Sequence, residues 1–176
     1  RWSGQVGFPG GHVEAGESDG EAAERECREE VGMHLGVPGA YRFLGCARER
    51  LVPLGRGGRL AVACRVYEQL ADDRPQQLQA SEVAACGWVP LRVLLEESCA
   101  EPLKWSARAA GDTRWDGLPC VPLPVQEMRT APDVAAEAAR SSFVLWGLTL
   151  GIVNDLLVQC GLRARPIALG AAGGAG

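Results

Sequence analysis

Between Gly11 and Met33 the chain sets charged residues and glycines at intervals that strongly restrict its local structure. The stretch reads G-H-V-E-A-G-E-S-D-G-E-A-A-E-R-E-C-R-E-E-V-G-M, with Gly11, Glu17, Arg25, Glu26, Glu29, Glu30 and Gly32 at its key positions. Ala23, Cys27 and Val31 recur every four residues, which is the spacing of one helical face and suits packing on a sheet. Glu26 and Glu30 are also four apart and Glu29 is their neighbour, so an acidic face runs beside the apolar one. Ser18 or Asp19 can cap the start of this helix. Gly32 falls where a helix end needs a left-handed residue. Gly10 and Gly11, after Pro9, are expected to let the backbone turn tightly and to expose carbonyl oxygens.

Carboxylates gathered on one short helix repel each other unless a cation lies among them. Mg²⁺ or Mn²⁺ suits such a set, because these ions prefer carboxylate oxygen and retain water. Arg25, on an acidic helix, is expected to orient a carboxylate through a bidentate pair.

The spacing resembles the Nudix box, G-x5-E-x7-R-E-U-x-E-E-x-G-U, where U is a bulky aliphatic residue. Every fixed position is filled, while the two U positions carry Cys27 and Met33. At average residue usage, seven such matches coincide about once in 10⁸ to 10⁹ starting points, which sets aside a merely solvated acidic face. The resemblance implies an α/β fold, the Nudix-type α/β/α sandwich with a mixed β-sheet and the box as a loop-helix-loop. It implies metal-dependent hydrolysis of a nucleoside diphosphate linked to another moiety. It assigns Glu26, Glu29 and Glu30 as metal ligands, assisted by a Gly10 or Gly11 carbonyl, with Mg²⁺ or Mn²⁺ as cofactor. Arg25 joins these glutamates in the catalytic set.

Three flanking segments are similar to the coenzyme A pyrophosphatase branch of that family. They are Ser3-Gly4-Gln5-Val6-Gly7-Phe8-Pro9-Gly10-Gly11, then Ser81-Glu82-Val83 leading to Gly87-Trp88-Val89-Pro90-Leu91, then Leu145-Trp146-Gly147-Leu148-Thr149. Trp2 stands where that branch often carries histidine. The branch resemblance implies coenzyme A or acyl-CoA as substrate. ADP-ribose, nucleotide sugars, dinucleoside polyphosphates and damaged dNTPs are the alternatives for the same chemistry. A non-catalytic nucleotide-binding module is a further one, although such modules usually lose box glutamates.

Outside the box, Glu82 is a candidate accessory glutamate, with a surface cap as its other reading. Glu17 is expected to orient the box loop. Arg48, Arg50 and His12 are candidates for substrate phosphates, set against a solvated strand end or an exposed loop. Trp2 or Trp115 can stack on a base or serve packing.

The 176 residues suffice for one sizeable core. One Nudix domain is expected over 1–164, truncated at its N-terminus because the box lies so close to Arg1, with a Gly/Ala-rich disordered tail over 165–176. A net charge of −4 argues against a general nucleic-acid surface. The apolar stretch from Phe143 to Leu157 is too short to span a membrane. The expected partner is a small nucleotide diphosphate, with no nucleic acid or membrane, and a homodimer is open. Seven cysteines without a Cys-x-x-Cys pair suggest buried free thiols, and neither His12 nor His34 shows zinc-ligand spacing with them. That suits the cytoplasm or another reducing compartment, such as a mitochondrion or peroxisome.

Along the chain, the pattern predicts strands at 5–8, 41–50, 59–68 and 83–89. In the 59–68 run, Leu60, Val62, Cys64 and Val66 alternate toward one face. It predicts helices at 20–31, 90–97 and 134–160, the last with a stripe of Leu145, Leu148, Ile152 and Leu156. A turn is expected at Gly36–Gly39, a hairpin turn or a mobile loop near substrate at 55–58, a polar loop over 71–80, and an irregular lobe over 100–130.

Overall fold

The computed structural model of the chain describes residues 5–54, 57–72, 77–95, 101–102, 116–124, 128–130 and 143–165. Its elements run α1 (Asp19–Val31), β1 (Tyr41–Cys46), β2 (Arg50–Pro53), β3 (Arg59–Val62), β4 (Arg65–Gln69), β5 (Ala85–Gly87), α2 (Leu91–Leu95), β6 (Glu101–Pro102), β7 (Pro119–Leu123), β8 (Met128–Thr130), β9 (Phe143–Trp146) and α3 (Gly147–Gln159). Helices and strands together place the chain in the α/β class. All described strand pairings are antiparallel.

The chain divides into two compact units. One holds α1, β1 to β5 and β8; the other holds α2, β6, β7, β9 and α3.

In the first unit, α1 starts and stops where its sequence says it should. The Ser18 hydroxyl accepts from the Glu21 N–H while the Glu21 carboxylate accepts from the Ser18 N–H, a reciprocal capping box. Gly32 closes the helix at φ 71°, a left-handed conformation that costs a side chain about 1–2 kcal/mol. Cys27, Val31 and Met33 are buried and pack with Leu35, Tyr41, Leu78, Val83 and Cys86.

The long β run breaks into two matched pairs. β1 lies against β4 and β2 against β3. The breaks at 47–49 and 63–64 face each other, bridged by the Ala47 N–H on the Cys64 carbonyl at 2.9 Å. β2 and β3 pair with Pro53 opposite Arg59, the Leu54 N–H donates to the Gly58 carbonyl at 2.8 Å, and Gly57 stands at φ 80°. Strand 83–89 shrinks to the three residues of β5.

In the second unit, β7 pairs with β6 and β9. Val121, Leu123, Leu145, Leu150, Val153 and Leu157 form its core. Asn154 and Arg163 are buried there too, with Arg163 Nη1 donating to Asn154 Oδ1 at 3.4 Å and Nη2 to the Leu95 carbonyl at 3.4 Å.

Two expectations are corrected. Residues 5–8 are not a strand. Gly7 and Pro9 weaken any ladder, and the Val6 carbonyl instead accepts from the Thr149 hydroxyl at 3.0 Å. Within the helix expected over 134–160, Phe143-Val144-Leu145-Trp146 instead pairs with β7 as a strand, and the described helix runs Gly147–Gln159. Aromatic and β-branched residues favour that pairing, and Gly147 at φ 58° turns the chain into the helix. The buried face of α3 carries Leu150, Ile152, Val153 and Leu157; of the expected stripe, Ile152 is buried on the helix and Leu145 is buried from β9.

The described cysteines, 27, 46, 64, 86, 120 and 160, stand outside any disulfide. Cys27 and Cys120 are buried, whereas Cys46 and Cys160 are exposed, so thiol burial is less general than expected. Among the described residues no helix is long and apolar enough to cross a membrane. Trp2, Cys99, Trp105, Trp115, residues 134–142 and all of the tail except Arg165 lie outside the described residues.

Candidate active site

The acidic helix α1 and the loop before it are joined through Arg25. Its Nε donates to Glu17 Oε1 at 2.9 Å and its Nη2 to Glu17 Oε2 at 3.0 Å, the bidentate pair expected of it. Its Nη1 donates to Glu26 Oε1 at 2.8 Å and lies 3.5 Å from Glu29 Oε2. Nη2 also donates to the His12 carbonyl at 3.0 Å. One guanidinium thus ties the loop, through Glu17 and the His12 carbonyl, to the helix carboxylates Glu26 and Glu29. The Arg25 hydrogen bonds are also the main reason the Glu17 carboxyl is held below its ordinary range. Glu17 in turn accepts from the Glu14 N–H at 2.9 Å, so it braces the loop, as anticipated.

Gly10 and Gly11 each have a role visible in the loop. Neither has a positive φ. Gly10 matters as a donor: its N–H lies 3.3 Å from Glu30 Oε2. Gly11 matters for what it lacks, since a Cβ there would come within 2.1 Å of Glu26 Oε1. The bare backbone leaves that carboxylate its place.

Glu30 is the outlier of the cluster. It is half-buried, and among the described residues it makes no ion pair. Burial is the main cause pushing its carboxyl above the ordinary range, the Gly10 N–H opposes this, and the charges of Glu26 and Glu82 add to the push. Glu82 is exposed in the turn before β5, its N–H bonded to the Gln79 carbonyl at 2.9 Å. The fold thus brings Glu82 within electrostatic reach of the box. The half-buried Cys86 thiol is pushed up by burial, with a further contribution from Glu30.

His12 is exposed, and its backbone carbonyl is what Arg25 uses. Arg48 is exposed in the link between β1 and β2, and Arg50 opens β2.

The donor set can be tested against a divalent ion. Among the described residues no three acidic, histidine or cysteine side chains are already gathered at ligating range. Glu26 and Glu29 are turned toward Arg25 instead. The donor chemistry still fits a hard dication. Among the described residues Glu17, Glu26 and Glu29 pair with Arg25 and Arg28 alone, and Glu30 makes no ion pair.

One feature had no recognised sequence signal. A cleft of about 480 Å³ opens beside the end of α1, lined by Arg28, Glu29, His34, Gln77, Leu78 and Gln79. Residues 77–79 read in sequence only as part of a polar loop.

An α/β chain with a capped acidic helix, a glycine loop against its carboxylates and an arginine binding the two has the make-up of a phosphoanhydride hydrolase. The model of the NUDIX domain matches residues 1–109, and the chain belongs to the Nudix family. Comparison with curated proteins and with solved structures yields no match. Nudix domains are pyrophosphohydrolases acting on phosphorus-containing anhydrides, with nucleoside diphosphate derivatives as their general substrates. They generally use divalent metals such as Mg²⁺ or Mn²⁺.

Proposed function

We propose that this chain hydrolyses coenzyme A or acyl-CoA to 3′-phosphoadenosine 5′-phosphate and a 4′-phosphopantetheine. The hydrolytic part rests on one observation above all: Glu30, half-buried beside Glu26 and Glu82, has no cation to pair with among the described residues. The choice of coenzyme A is supported by the Ser3-to-Gly11 lead-in and by Leu145-Trp146-Gly147-Leu148-Thr149.

In this reading Glu26, Glu29 and Glu30 hold Mg²⁺ or Mn²⁺, with a Gly10 or Gly11 carbonyl assisting. When bound, such an ion neutralises diphosphate charge and lowers the pKa of coordinated water. Arg25 keeps Glu26 and Glu29 aimed from one side. Water adds to one phosphorus, and the bond from that phosphorus to the bridging oxygen breaks. The other phosphate leaves with that oxygen. Glu82, or a glutamate of the box, accepts the proton from water. Arg48, Arg50 and His12 contact substrate phosphates.

A substrate panel tests the reading: coenzyme A, acyl-CoA, ADP-ribose, a nucleotide sugar and a dinucleoside polyphosphate, each with Mg²⁺ and with Mn²⁺, products identified by mass. Coenzyme A is expected to be turned over fastest, and chelation to abolish turnover. No turnover of coenzyme A beside rapid turnover of ADP-ribose overturns the substrate assignment.

A further inference from the structure

We infer that the cleft at the end of α1 receives the pantetheine arm, the uncharged, amide-bearing half of the substrate beyond the diphosphate. This rests on the diphosphatase reading and extends it to a binding site.

The cleft is a built feature. Gln79 donates its N–H to the Glu30 carbonyl at 3.0 Å, which pins residues 77–79 to the box helix. Leu78 packs against the buried group of Cys27, Val31 and Met33, so the wall is anchored in the core. Glu29 lines the cleft and also faces Arg25, so the cleft adjoins the acidic cluster. A volume of about 480 Å³ lies within the size range of small-molecule sites.

Its chemistry selects against a second anionic group. Arg28 Nη2 lies 3.5 Å from Glu29 Oε1, so the charges of the lining largely cancel. The carbonyl end of α1 adds negative potential. Beside His34, the lining then presents two exposed glutamine side chains, each offering an amide donor beside an acceptor, over the apolar Leu78. A chain of secondary amides with aliphatic segments matches that alternation. A sugar would use the same donors but not the apolar floor.

The test compares wild type with Gln77→Ala/Gln79→Ala, both exposed positions, after circular dichroism has shown equal helix content. For coenzyme A, KM is expected to rise about tenfold with kcat changed less than threefold. The inhibition constant of ADP, which lacks the arm, should stay unchanged. Independently, in metal-free protein, the side-chain amide resonances of Gln77 and Gln79 should shift on adding pantetheine and not on adding ribose. Unchanged KM in an active variant, or shifts with ribose alone, overturns the assignment. If the wild type hydrolyses no diphosphate, the proposed function falls, and the resonance measurement alone decides the cleft.

Discussion

Arg25 grips Glu17 with two parallel hydrogen bonds, at 2.9 and 3.0 Å, across eight residues of chain. The pair sits partly shielded, with side-chain exposures of 18% and 14%. It converts a flexible glycine loop into a fixed neighbour of α1, because the same guanidinium also holds Glu26. Arg25→Lys keeps the charge but loses the fork geometry. Activity should fall about 10- to 100-fold, as when the support of a metal ligand is removed. Kinetics across a Mg²⁺ titration will check this, with most of the loss recovered if the loop alone is loosened and metal is raised.

Glu30→Gln should separate function from stability. Turnover is expected to drop at least 100-fold, since the residue is assigned as a direct ligand. The metal-free protein should become more stable, by up to ~1 kcal/mol. The sign follows from the raised carboxyl. A folded-state pKa above the unfolded one means folding disfavours the charged form, so the penalty is absent in acid and complete at neutral pH. Glutamine removes the charge and keeps an acceptor for the Gly10 N–H. Urea unfolding with and without chelator, beside kcat, measures both effects, and retained activity overturns the ligand assignment.

Gly11→Ala introduces a methyl where Glu26 Oε1 now lies, 2.1 Å away. The carboxylate must move, which disturbs its bond to Arg25. We expect activity lowered more than tenfold with a stability loss of about 1 kcal/mol. Loss of activity with little change in Tm would place the effect at Glu26 rather than in the fold.

Acid should loosen the start of the box helix. The Ser18 hydrogen bonds are the main cause holding Glu21 below its ordinary range, and Arg25 does the same for Glu17. For carboxyls lowered by folding, the stabilisation is present above the unfolded value, 4.5 for each, and is lost as pH falls through the folded one. Far-UV circular dichroism should show helix loss beginning below about pH 4.5, shallower in Glu17→Gln/Glu21→Gln.

Ser18→Ala removes one half of the capping box. A loss of about 1 kcal/mol is expected, with kcat close to wild type, since Ser18 lies at the end of α1 away from Glu29 and Glu30. Denaturant unfolding and a single-substrate assay suffice.

What the sequence by itself determined is local. Ser18, Glu21 and Gly32 act within a turn or two of their own backbone, so the limits of α1 could be read from spacing alone. The box glutamates share one helix, and their common face follows from its pitch. Arg25 could be read as a carboxylate clamp, although its partner Glu17 comes from the preceding loop. The run Phe143–Trp146 fits a helical stripe as well as a strand, and only pairing with β7 decides between them. Tertiary structure alone brought Glu82 toward Glu30, laid Gly11 against Glu26 and folded Gln77–Gln79 over the end of α1. Such meetings depend on how the chain closes loops over distant residues, where the gain is shared among many weak contacts and no short motif records it.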